Sequence, residues 1–138
     1  MRPLDKIILH STATTVKHQL DVAEIRRWHV KGRGWSDIGY HFVILQDGTI
    51  QRGRDIRKVG AHALNNNATS IGVAYCGGVD SKKKAKDTMT KAQETAFRQL
   101  VWSLRTIFGD LAIIGHNDVS TTSCPSFKVK DKFADLIQ

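Results

Sequence analysis

Apolar residues fall into short blocks separated by polar, glycine-marked stretches. Ile7, Ile8 and Leu9 make an unbroken apolar run within Lys6–His10, the pattern of a strand buried on both faces. Asp21-Val22-Ala23-Glu24 has capping-box form and predicts a helix whose apolar positions include Val22, Ile25, Trp28 and His29, ended by Gly32 and Gly34. Tyr40–Gln46 and Thr49–Arg52 flank Asp47-Gly48, which predicts a hairpin with a two-residue turn. Ser70–Cys76 reads as a second buried strand closed by Gly77-Gly78. Thr90 and Gln93 form a second capping box, and the 3.6-residue period of Ala92, Ala96, Phe97, Leu100, Val101, Leu104 and Phe108 carries that helix to about Phe108. Leu111–Ile114 predicts a strand ending in Gly115-His116, and Lys130–Ile137 a short closing helix. The alternation predicts an α/β fold: one domain over residues 1–138, a central mixed β-sheet flanked by helices. Trp28, Trp35 and Trp102 are expected in or beside the core.

Composition narrows this picture. A chain of 138 residues with 41% hydrophobic and 25% charged residues can bury a core unaided, which argues against disorder. No apolar run approaches the ~20 residues of a membrane span, and no export signal is visible. Two cysteines make no disulfide framework; a single bridge, metal binding and simple burial stay open for Cys76 and Cys124, with packing favoured for Cys76. Lysine and arginine number 21 against 13 acidic residues, a net +8 that points to an acidic partner. Nucleic acid, an anionic membrane surface and a phosphate-bearing cell envelope all satisfy it. The run Lys82–Lys86 reads as a solvated loop.

Candidate chemistry gathers at strand ends. Ile-Ile-Leu-His10 and Ile-Ile-Gly-His116 each close a short apolar strand, and ligands of open α/β sheets sit beyond the carboxyl ends of strands. Were these strands parallel neighbours, both imidazoles would project from one edge. Eight residues after His116, Cys124 ends a Ser/Thr-rich loop. Two imidazoles and a thiolate suit zinc and leave a fourth position open. Structural histidines are the other reading, and the spacing alone leaves both standing. Tyr40 would reach the same edge if its arm ran antiparallel to the first strand. Asp118 is a candidate acceptor for the His116 ring or a turn former, His29 and His41 are read as structural, and His18 needs no role.

The constellation resembles a known family. Ile8-Leu9-His10-Ser11, Ile25-Arg26-Arg27-Trp28-His29, Gly34–Phe42, Asp47-Gly48-Thr49, Gly53-Arg54, Val59–Ala63, Asn67, Ser70–Val73 and Cys124–Phe127 follow the order seen in type 2 N-acetylmuramoyl-L-alanine amidases, the group of phage lysozyme-type amidases and peptidoglycan recognition proteins. The resemblance implies hydrolysis of the amide between N-acetylmuramic acid and L-alanine of the peptidoglycan stem. It puts His10, His116 and Cys124 on the zinc ligands and Tyr40 on the catalytic tyrosine. Thr122 stands where phage members carry lysine and many recognition amidases carry threonine; it is the second candidate catalytic residue. His62 and Asn67 are expected to contact substrate.

A phage or prophage endolysin is the implied role: a zinc enzyme made in the cytoplasm without a signal peptide, acting on the wall after release. It is expected to be a monomer with peptidoglycan as partner, no specific nucleic acid, no membrane insertion and no separate wall-binding domain. A non-catalytic peptidoglycan-binding module is the alternative; such proteins characteristically replace the cysteine, whereas Cys124 is intact. A basic nucleic-acid-binding protein has only the net charge behind it.

Overall fold

Five strands build a mixed sheet in the order β3-β2-β4-β1-β5. The computed structural model describes residues 1–137. β1 (Lys6–Ser11) lies between β4 (Ser70–Tyr75) and β5 (Ala112–Gly115) and runs parallel to both. β2 (Phe42–Ile44) is parallel to β4, and β3 (Ile50–Arg52) is antiparallel to β2. Alternation along the central strands sends Ile7, Leu9, Ile71, Val73 and Tyr75 to one face. There they meet Phe97, Leu100, Val101 and Leu104 of α2 (Lys91–Phe108) and Val129 of α3 (Val129–Lys132). Phe97 is fully buried, which stabilises the fold by about 1.5–3 kcal/mol.

The other face carries Ile8, His10, Gly72 and Ala74. A smaller cluster of Leu20, Val22, Ile25, Ile38, Val43 and Cys76 covers part of it beneath α1 (Val22–Arg27). Cys76 is buried there, and desolvation pushes its thiol up to about 12. The remainder of this face is covered by the segments around Tyr40 and His62, and there the candidate residues collect.

Several local expectations are corrected. The hairpin turn has three residues, Gln46–Gly48: Leu45 N donates to Thr49 O (2.8 Å) and Gly48 N to Leu45 O (2.9 Å). Gly48 takes the left-handed conformation (φ +90°) that this loop requires. The paired arms are shorter than the apolar pattern suggests, Phe42–Ile44 and Ile50–Arg52. Only half of the first capping box forms. Asp21 accepts from Glu24 N (2.9 Å), but the Glu24 carboxylate turns to His18. That helix widens into a π turn over Trp28–Gly32 before it ends. The closing helix is broken, because buried Phe133 leaves helical geometry between α3 and a 3₁₀ turn at Ala134–Leu136. Trp102 is 72% exposed, since it falls outside the buried stripe of α2, and Trp28 is exposed as well.

Candidate active site

β1 and β5 are adjacent and parallel, so the strand-end histidines emerge side by side. His10 is the fifth residue of β1, and His116 opens the 3₁₀ turn directly after β5. Their ring centroids lie 4.5 Å apart. Cys124 arrives from the following loop, held by its backbone: Asn117 N donates to Cys124 O (2.8 Å), and Asn117 Nδ2 donates to Phe127 O (3.1 Å). One donor atom from each of His10, His116 and Cys124 lies within 4.8 Å of the others. A tetrahedral ion with bonds of about 2.0–2.3 Å sets its donors roughly 3.3–3.8 Å apart, so small side-chain rotations would close this set around one ion.

The electrostatics suit a cation. Burial holds His10 well below its ordinary pKa, helped by the neighbouring His62 and His116 rings, and burial also lowers His116. Both imidazoles are therefore neutral near pH 7 and keep a lone pair. Burial raises the Cys124 thiol, while hydrogen bonding to Ser11 works the other way. Ser11 N donates to Cys124 Sγ at 3.1 Å, a contact that favours the thiolate. Soft sulfur with two imidazoles is a donor set for zinc rather than for magnesium or calcium.

Tyr40 sits 5.2 Å from His10, ring centroid to ring centroid, and 5.5 Å from His29. It gets there by a different route from the one its position in the chain suggests. β2 runs parallel to the sheet's centre, and Tyr40 reaches His10 from the segment before it, which lies over the sheet face. His29 Nδ1 accepts from Gly39 N (2.9 Å) and fixes that segment one residue before the tyrosine. Desolvation, then the nearby Cys124, raises the Tyr40 phenol, so it stays protonated.

The remaining candidates are occupied by the protein itself. His62 is buried rather than open to a groove: its Nδ1 faces His10 Nε2 at 2.8 Å and its Nε2 faces Ser70 Oγ at 3.2 Å. Burial lowers it to about 3. Asn67 Oδ1 accepts from both His62 N and Ala63 N (2.9 Å each). Thr122 Oγ1 accepts from Cys124 N at 3.3 Å. Asp118 Oδ2 accepts from Gly115 N (2.8 Å), bracing the turn that carries His116 rather than the His116 ring. His41 is structural: it ties β2 to β4 by accepting from Gly72 N (3.0 Å) and contacts Lys58 O (2.9 Å). A separate cleft of about 520 Å³, between Arg52–Arg57 and the end of α2, contains none of the candidate metal ligands.

The sequence profile of the N-acetylmuramoyl-L-alanine amidases matches residues 1–127. The chain belongs to the N-acetylmuramoyl-L-alanine amidase family. It is 42% identical over 125 residues to the endolysin of Klebsiella phage KP32, covering 91% of this chain and 82% of that one. The endolysin of Escherichia phage T7 is 42% identical over 126 residues, covering 91% and 83%. Among solved structures, an N-acetylmuramoyl-L-alanine amidase from Clostridium intestinale superposes with a TM-score of 0.83 at 32% identity, covering 99% of this chain and 88% of that one.

This amidase has supports that motif reading passed over. Ser11, Ser70 and Asn117 act through one hydroxyl, one amide side chain and backbone N–H groups. Nothing in their spacing marks them, although Ser11 and Asn117 each directly follow a candidate histidine.

Proposed function

We propose that this amidase hydrolyses the bond between N-acetylmuramic acid and L-alanine of the peptidoglycan stem, using zinc held by His10, His116 and Cys124. The observation that carries the reading is the convergence of two neutral imidazoles and one thiol on a single small volume. Zinc would supply Lewis acidity there, polarising the scissile carbonyl and making water nucleophilic near neutral pH. The protein's own groups supply the rest. Ser11 N–H stabilises negative charge on the Cys124 sulfur. Tyr40 keeps its proton and donates a hydrogen bond to the carbonyl oxygen as charge develops on it. Because Thr122 Oγ1 accepts from Cys124 N, its own proton is left to donate toward substrate. His62 positions His10 from behind in this reading, since both its ring nitrogens face protein groups, and Asn67 Oδ1 holds the His62 backbone.

Similarity to phage endolysins supports the role of an endolysin acting on peptidoglycan of the wall. We further propose that it works as a monomer, made in the cytoplasm and released to the wall. No helix among the described residues is long and apolar enough to cross a membrane. Purified protein is expected to hold about one zinc per chain, as befits three protein ligands and one open position. Cys124→Ser should lose the metal and most turnover, because a neutral hydroxyl replaces a thiolate; Cys76→Ser should retain both. Full turnover by metal-free protein in excess chelator would overturn the zinc reading.

A further inference from the structure

We propose that His62 is a positioning residue that locks His10 in the tautomer whose Nδ1 lone pair is free for the metal. The inference rests on the zinc reading above and deepens it. The proton assignment begins one step further back, at Ser70. Its hydroxyl lies 2.6 Å from Asn66 O. A carbonyl only accepts, so Ser70 donates its single proton there.

Toward His62 Nε2, at 3.2 Å, the same oxygen can then only accept, which puts the His62 proton on Nε2. His62 is buried, and its ring partners are Ser70 Oγ and His10 with no carboxylate to balance a second proton, so its Nδ1 is bare. That bare nitrogen faces His10 Nε2 at 2.8 Å. Two bare nitrogens would repel at this distance. His10 therefore carries its proton on Nε2 and donates it to His62. Nδ1 is the only lone pair left on the His10 ring.

The middle joint of the chain Asn66–Ser70–His62–His10 is held on two sides. Asn67 Oδ1 grips the His62 and Ala63 backbone. The His62 ring lies flat over Gly72, where a Cβ would come within 2.6 Å of it. Metal-ligating histidines generally donate their second N–H to an acceptor that fixes the ring, often a carboxylate. Here the acceptor is a neutral imidazole, so the tautomer is fixed without adding negative charge beside the cysteine.

The test is nitrogen-15 spectroscopy of metal-free protein, paired with zinc competition against a chelator. Long-range proton–nitrogen correlations should show wild-type His10 protonated on Nε2. His62→Phe should release that preference and weaken zinc binding by about 10–100-fold. His62→Asn places an amide oxygen near the former Nδ1 and should restore the tautomer and most of the affinity. A His10 ring protonated on Nδ1 in folded wild-type protein would overturn the proposal. So would unchanged zinc affinity in folded His62→Phe. Wild-type protein that binds no zinc would instead sink the zinc reading, while the spectrum would still decide the tautomer.

Discussion

At the residue scale, the proposed mechanism assigns the stabilisation of developing negative charge to Tyr40 and Thr122, and their environments make the division unequal. Tyr40 has a protonated phenol whose ring lies against His10; Thr122 offers a neutral hydroxyl that also braces the Cys124 backbone. Tyr40→Phe is expected to lower kcat by ~10²-fold or more with zinc content intact, comparable to the loss of one oxyanion donor. Thr122→Ala should cost less. Rates for both at matched zinc occupancy check this; a near-normal Tyr40→Phe beside a dead Thr122→Ala would reverse the assignment. The sequence exposes residue types but not which of their atoms are already occupied. The convergence of His10, His116 and Cys124 could be anticipated because each stands at a strand end or loop end that the fold brings to one place. The intramolecular partners of His62, Asn67 and Asp118 could not be read from the sequence, because they depend on which backbone and ring atoms the fold brings beside them.

At the scale of elements, the site is assembled by pieces with different duties, and substitutions should separate them. α2 lies on the sheet face away from the candidate metal ligands and begins with a complete capping box between Thr90 and Gln93. Thr90→Ala should remove about 1 kcal/mol of stability, lowering Tm by about 2–6 °C, while turnover per folded molecule stays unchanged. Asn117→Ala acts on the loop that delivers Cys124 and should weaken zinc retention more than it lowers Tm. Equal effects of the two variants on zinc binding would argue that the loop is not separately held. Periodicity made α2 and β1 readable, since each has a long or unbroken apolar signal. It failed at the hairpin and at the C-terminal turn, where Gly48 and Phe133 obey the demands of a three-residue loop and of the core.

For the whole molecule, the sheet order puts both strand-end histidines on neighbouring parallel strands and leaves one face for the helix that stabilises them. The alternation of apolar blocks gave the class of fold. The direction of β2 was beyond it, because a short strand says nothing about which neighbour it joins. Folding also buries His29 and His41, and desolvation lowers each to about 4. Unfolded histidines titrate near 6.5, so between about pH 6.5 and 4 the unfolded chain binds protons that the native state refuses. Their contribution is complete above about pH 6.5 and is lost as pH falls toward 4, at up to about 1.4 kcal/mol per pH unit for each. Urea unfolding at pH 7, 5.5 and 4.5 should show falling stability, and His41→Gln should flatten the slope. Rising stability on acidification would contradict this account.

Mass spectrometry of a peptidoglycan digest reads directly which bond is cut. The expected products are stem peptides with a free L-alanine amino terminus and glycan strands that keep intact lactyl groups, both absent when chelator is added. Muropeptides still joined to their peptides, or glycan cut between sugars, would contradict the assignment.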